Sequence, residues 1–386
     1  MKRIIAVILS LILIFSLVGC GKQKREIIKL TLSTEDSEVA ERMGIGLNLG
    51  NTMEAYESTN CEKASYEWIP ICGDNTPKDY ETRWGAIETT QKIINGIKAE
   101  GFNTVRIPVF WGNMMENDGT WTIAPEYLER VKEIVDYCMK ADMFAVVNCH
   151  HFDEFIIRRN NVEECEKIFT TLWTQIADYF KDYPYTLVFE GFNEYLGASQ
   201  FNENGELKDP GQQSAYEMTN TCNQAFVDAV RATGSHNADR VLIVSGYNTN
   251  IDRTTSPLFK MPNDTAKDRL MVSVHYVDNA MYWSNSIGSQ RWLDYTDSQC
   301  KLLEDAFTSK GIPVFLGETT AQYPTDRFAF DAIHTDSAEC LEIVLNKLKE
   351  KGFVPVIWDT CNDFYSRTDC KIIKDDNAEV IHNYTK

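Results

Sequence analysis

Residues 186–194 read Thr186-Leu187-Val188-Phe189-Glu190-Gly191-Phe192-Asn193-Glu194. The apolar positions in Thr186–Glu190 are consecutive rather than alternating, as in a strand covered on both faces, and the run is too short for a helix. It passes through a glycine into Asn193 and Glu194, so a buried strand delivers polar side chains at its carboxyl end. Helical patterns flank it at 165–179 and 213–232, and the same unit recurs along the chain. Strands are expected at 44–49, 104–109, 144–148, 186–190, 241–245, 270–275, 313–317 and 354–358, with further helices at 126–141, 299–310 and 337–351. Eight apolar strands alternating with helices are the arithmetic of an α/β fold closed into a single (β/α)8 TIM barrel. The competing open sheet would need a dinucleotide fingerprint after the first strand. Gly44, Gly46 and Gly50 are spaced one residue too long for it.

The 386 residues include 43% hydrophobic and 25% charged side chains, which excludes disorder and fibrous repeats. With 38 basic against 57 acidic residues the net charge is -19, and no basic block interrupts the body. Such a field repels nucleic acid and anionic membranes, so a neutral ligand is expected. Met1–Gly19 combines Lys2 and Arg3 with an apolar run from Ile4 to Phe15, the layout of a secretory signal. It closes on Leu17-Val18-Gly19-Cys20, which resembles a bacterial lipobox in which Cys20 is lipidated. Residues 20–38 then form a polar tether and 39–386 one domain, held at the outer face of the cell envelope only through the lipid. Of the ten other cysteines, Cys138, Cys149, Cys165, Cys222 and Cys340 fall in apolar-periodic segments and should be buried. Cys61 and Cys72 could form a local bridge.

In a barrel the site lies at the carboxyl ends of the strands. Those ends carry Asn48 and Asn51, Arg106, His150 and His151, Glu190 with Asn193 and Glu194, His275 and Tyr276, Glu318, and Trp358 with Asp359. Glu194 and Glu318 follow strands four and seven, on opposite sides of the mouth. Facing carboxylates are what glycosidic bond cleavage needs, one as proton donor and the other as nucleophile or electrostatic partner.

The sequence resembles glycoside hydrolase family 5, the retaining β-glycanases that include many bacterial endoglucanases. The resemblance rests on Leu47-Asn48-Leu49-Gly50-Asn51-Thr52, Glu81-Thr82-Arg83-Trp84-Gly85, residues 101–109, His150-His151, residues 189–194, Ser273-Val274-His275-Tyr276, residues 311–318 and Trp358-Asp359. It implies that Glu194 is the acid/base and Glu318 the nucleophile, with Arg106 supporting Glu318. It further implies that Asn193 holds the sugar 2-hydroxyl, that His150 and His275 line the same subsite, and that Trp358 stacks on the sugar. His151 and Tyr276 are expected to touch the substrate or stand directly behind those that do. Two positions depart from the family pattern. Val277 stands where a tyrosine usually hydrogen-bonds the nucleophile, which removes a hydroxyl unless Tyr276 or Tyr282 supplies it, and Tyr195 replaces a proline after the acid/base. A glycan-binding lipoprotein without turnover is the rival reading that Val277 motivates.

Trp84, Trp111, Trp121, Trp283 and Trp292 lie in segments expected at or near loops, where flat aromatic faces suit pyranose rings. A β-linked polysaccharide or oligosaccharide is therefore the expected partner, acted on by a monomer, and the family resemblance, with its Leu47–Thr52 opening, implies one of the cellulose type. Mannan, xylan, xyloglucan and mixed-linkage glucan remain open. Asp153 and Glu154 beside the histidine pair have no third spaced ligand, so neither a metal nor any other cofactor is expected.

Overall fold

The computed structural model describes residues 36–57, 64–66, 69–116, 118–151, 162–194 and 213–386. Eight parallel strands close a barrel: β1 Gly46–Asn48, β2 Thr104–Ile107, β3 Phe144–Asn148, β4 Leu187–Glu190, β5 Leu242–Ser245, β6 Leu270–His275, β7 Val314–Thr319 and β8 Val354–Ile357. Each pairs with its sequence neighbours, and β8 returns to β1 through Gly46 opposite Val356. All eight expected strands are present, with ends that shift by at most two residues. Nearly every strand residue is buried, because helices cover the outside while side chains fill the inside.

The covering helices include α1 Gln91–Ala99, α2 Pro125–Lys140, α3 Val162–Phe180, α4 Gln213–Ala232, α5 Ile251–Thr254, α6 Gln290–Ala306, α7 Ser337–Glu350 and α8 Asp375–Tyr384. Trp173 of α3 shows how they lock on. Its ring lies 4.5 Å from Phe226 of α4 and 5.5 Å from Phe189 of β4. Its indole Nε1 donates to the Gly191 carbonyl at 2.8 Å, so the same side chain that fills the helix–sheet layer also fixes the turn leading to Asn193 and Glu194. A Cβ on Gly191 would come within 2.9 Å of the Phe226 ring, which is why the turn has glycine there.

Three expectations change. The helix anticipated at 299–310 begins at Gln290, where Ser289 accepts from the Trp292 amide as an N-cap, and it stops at Ala306. A helix at Asp36–Met43 starts inside the stretch expected as tether; its Val39, Ala40 and Met43 are buried, and the Thr104 hydroxyl donates to the Met43 carbonyl at 2.8 Å. Trp111 and Trp292 are fully buried, with Nε1 donating to the Asn148 carbonyl and to Asp278, so they belong to the core and not to a sugar cleft. Cys138, Cys149, Cys165, Cys222 and Cys340 are buried as expected. Cys72 is buried with its thiol 3.3 Å from the Asp79 carbonyl, whereas Cys61 lies outside the described residues. No described helix is long and apolar enough to cross a membrane.

Candidate active site

Register decides which side chains meet inside the mouth. Asn48 of β1 pairs with Arg106 of β2, Asn148 of β3 with Glu190 of β4, and His275 of β6 with Glu318 of β7. The β6–β7 ladder steps from Val274 opposite Leu316 to His275 opposite Glu318, leaving Gly317 as an extra residue. This bulge bends β7 and re-aims Glu318. Gly317 itself faces the interior, where a Cβ would sit 3.0 Å from His275 Nε2 and 3.2 Å from Glu190 Oε1.

Arg106 is fully buried and organises the floor. Its Nε donates to Glu190 Oε2 at 2.6 Å, Nη1 to Asn48 Oδ1 at 3.0 Å and Nη2 to Asn193 Oδ1 at 2.7 Å. The Ser273 hydroxyl donates to the other Glu190 oxygen at 2.8 Å. Burial opposes the guanidinium charge, but Glu190 and Glu318 outweigh it and hold the Arg106 pKa above its ordinary value. The closest carboxylate to Arg106 is thus Glu190, a wholly buried residue below the mouth, while Glu318 Oε1 stands 3.5 Å from Nη1. Support of Glu318 by Arg106 is electrostatic more than a direct short hydrogen bond. With its oxygen taken by Arg106, Asn193 keeps its amide NH2 as a donor.

Glu318 lies just below the surface and Glu194 at the rim, its side chain 51% exposed. His275 bridges them, with Nδ1 3.2 Å from Glu194 Oε1 and 3.7 Å from Glu318 Oε2. One carboxylate oxygen of each glutamate and a ring nitrogen of His275 all lie within 4.8 Å of one another. By distance alone those donors suit a cation, but the Arg106 guanidinium beside Glu318 opposes a second positive charge there. Asp153 and Glu154 fall outside the described residues. Burial in the cleft raises the Glu194 pKa, yet the hydrogen bond and charge of His275, with Arg106, prevail and bring it below the ordinary glutamate value. The Tyr276 hydroxyl donates to Glu318 Oε2 at 2.6 Å. Val277 is buried in the core, so the hydroxyl expected from its position comes from the residue before it.

His150 stacks on Trp358, with ring planes 11° apart and centroids separated by 6.1 Å. Burial, followed by the positive charges nearby, drives the His150 pKa well below its usual value, so the ring is neutral. Asn148 Nδ2 lies 3.1 Å from His150 Nδ1, which assigns the ring proton to Nε2. Trp358 is partly exposed and lies against Gly50, where a Cβ would be 3.2 Å from the indole and 2.5 Å from the Asp359 carbonyl. His151, at φ 53°, packs edge-on against Tyr56, Trp84 and Phe110, and burial lowers its pKa to about 4. It stands behind the rim, carrying the aromatic group that includes the 37% exposed Trp84. Trp283 is exposed on the turn after β6 and Trp121 half-buried. Cys20 and Tyr195 lie outside the described residues. Sequence reading passed over Tyr56, Phe110 and Ser273; only Ser273 lay within a recognised motif, and its role depends on register.

The family model "Cellulase (glycosyl hydrolase family 5)" matches residues 66–364. Endoglucanase A of Clostridium longisporum is 31% identical over 92% of this chain and 65% of its own length, so the chain spans just under two thirds of that protein. Endoglucanase A of Paenibacillus barcinonensis is 30% identical over 84% of this chain and 82% of its own. Among solved structures, a broad-specificity endoglucanase from an uncultured bovine rumen ciliate superimposes with a TM-score of 0.75 at 30% identity, covering 92% of this chain and 99% of that one. A lichenase from Caldicellulosiruptor, solved as a point mutant in complex with cellotetraose, gives a TM-score of 0.76 at 29% identity over 91% and 95% of the two chains. The closed barrel, the two carboxylates across its mouth and a match over most of the chain agree: this protein belongs to glycosyl hydrolase family 5, the cellulase family.

Proposed function

We propose that the chain is an endo-acting β-1,4-glucanase that cleaves with retention of configuration. The observation that carries this reading is the approach of Glu194 and Glu318, one oxygen of each lying within 4.8 Å of the other. Carboxyl groups of a retaining pair stand about 5–5.5 Å apart, which brings their facing oxygens close, whereas an inverting pair, at about 6.5–9.5 Å, keeps room for a water between them. In the first step Glu194, protonated, gives its proton to the glycosidic oxygen while a Glu318 oxygen attacks the anomeric carbon. The carbon–oxygen bond to the leaving chain breaks as the ester bond to Glu318 forms. In the second step Glu194, now ionised, takes a proton from water, whose oxygen displaces Glu318 and restores both carboxyls. One water is consumed per bond. Trp358 offers a flat face to the sugar, the Asn193 amide a donor to its hydroxyl, and neutral His150 an Nε2 proton at the same wall.

Cello-oligosaccharide in the lichenase complex, and a xyloglucan heptasaccharide in a Bacteroides ovatus relative 25% identical to this chain, favour an unbranched or branched β-1,4-glucan as substrate. For location, the amino-terminal sequence supports secretion followed by lipidation at Cys20. Release of reducing sugar from a panel of β-glucans, xyloglucan, xylan and mannan, run beside Glu318→Gln, tests the activity. Release from β-1,4-glucans by the parent alone is expected; none from any polymer would sink the reading.

A further inference from the structure

Tyr276 reaches Glu318 only because its backbone is left-handed, at φ 43°. A bulky residue adopts that conformation at a cost, and keeps it only where the surroundings over-determine it. Its amide donates to the Glu318 carbonyl at 3.0 Å, which fixes one end of the turn. The other end is held two residues on. Asp278 is buried, and its Oδ2 accepts from Trp292 Nε1 and from the Tyr323 hydroxyl, each at 2.9 Å. Trp292 belongs to α6 and Tyr323 to the segment after β7. The Asp278 carbonyl also accepts the Met281 and Tyr282 amides, starting the short helix Asn279–Trp283. Between these two anchors Val277 packs into the core, which leaves Tyr276 the mouth.

We propose that Asp278 is a positioning residue for the nucleophile: its carboxylate pins the turn after β6 to α6 and to the segment after β7, and thereby holds the Tyr276 hydroxyl on Glu318. The inference rests on the hydrolase reading above. It explains how this chain, with valine at the position that usually supplies the hydroxyl, still delivers one. The hydrogen bond to Glu318 is charge-assisted, orients the carboxylate for attack and stabilises it as it departs in the second step.

A double-mutant cycle on Asp278→Ala and Tyr276→Phe, read as kcat and KM on a soluble β-glucan, separates positioning from packing. Tyr276→Phe should lower kcat by about tenfold to a hundredfold with KM changed by less than about twofold. Asp278→Ala should cost a similar factor, and the double variant should be no worse than about twofold below Tyr276→Phe. Asp278→Asn, whose amide oxygen still accepts both donors, should recover most of kcat. Where Asp278→Ala does not fold, Tyr323→Phe removes one of the two donors and enters the same cycle. Losses that multiply in the double variant, or a first variant that raises KM and spares kcat, overturn the inference alone. A parent protein without turnover overturns the hydrolase reading and this inference with it.

Discussion

Glu194 and Glu318 sit in different surroundings, and kinetics can read the difference. Glu318→Ala removes the carboxylate proposed as nucleophile, so turnover of every substrate should vanish, and azide entering the vacated face should give product of inverted configuration. Glu194→Ala should spare dinitrophenyl glycosides, whose leaving group departs without a proton, and azide should rescue their turnover with retention. Equal losses on activated and natural substrates in both variants, with no azide product, would contradict these roles. The pH dependence follows from His275. Glu194 must hold a proton to act as acid, so kcat/KM falls as pH rises through its pKa, which His275 and Arg106 keep below the ordinary glutamate value. His275→Ala removes a donor and a neighbouring charge, the Glu194 pKa rises, and the basic limb of kcat/KM should move to higher pH. An unmoved limb, or one shifted to lower pH, contradicts the assignment.

At the scale of elements, the loops that carry aromatic residues divide into core and cleft in a way that two substitutions can separate. Trp84→Ala trims an exposed platform beside Tyr56 and His151, so KM for polymer should rise several-fold with the melting temperature nearly unchanged. Trp111→Ala empties a fully buried site and breaks a hydrogen bond, and should lower stability by about 3–5 kcal/mol in chemical denaturation. The reverse pattern would mean the two roles are exchanged. The eight strands were legible because a strand buried on both faces writes itself as a continuous apolar run, as in Leu187-Val188-Phe189. Helix α1 was not, since its centre contains Asn95 and Gly96, and the glycine is there because a Cβ would lie 2.3 Å from the Tyr365 hydroxyl. Trp111 and Trp292 misled because both lie in helix where a loop was expected: Trp111 opens a short 3-10 turn, and Trp292 stands in the first turn of α6, which begins at Gln290 and not at 299. Within the site, the gathering of Glu194, Glu318, Arg106, His150 and Asn193 at one end of the barrel could be read from strand ends. The Arg106–Glu190 pairing could not, because it depends on β-register across the barrel, and the Tyr276 hydroxyl could be named only as one of two candidates beside Tyr282, because its reach depends on a single left-handed residue.

Across the whole molecule, a net charge of -19 and a mouth lined by carboxylates, amides and aromatic rings suit an uncharged polymer and oppose binding to an anionic membrane, so under the lipidation proposal attachment would rest on the lipid alone. The first described helix, Asp36–Met43, is bonded through the Met43 carbonyl to the first residue of β2, at the end of the barrel opposite the mouth. Cys20→Ser should accordingly move the protein from the membrane fraction to the soluble one with kcat/KM on soluble β-glucan unchanged. A variant that stays with membranes to the same extent as the parent would remove the lipoprotein proposal and leave the catalytic one standing. The catalytic proposal itself turns on whether two carboxylates whose oxygens lie within 4.8 Å act by double displacement. Proton NMR of the anomeric region during the first minutes of cello-oligosaccharide hydrolysis measures this directly. The account predicts that the β-anomer of the new reducing end forms first and the α-anomer grows in only by mutarotation; an α-anomer present first would contradict it.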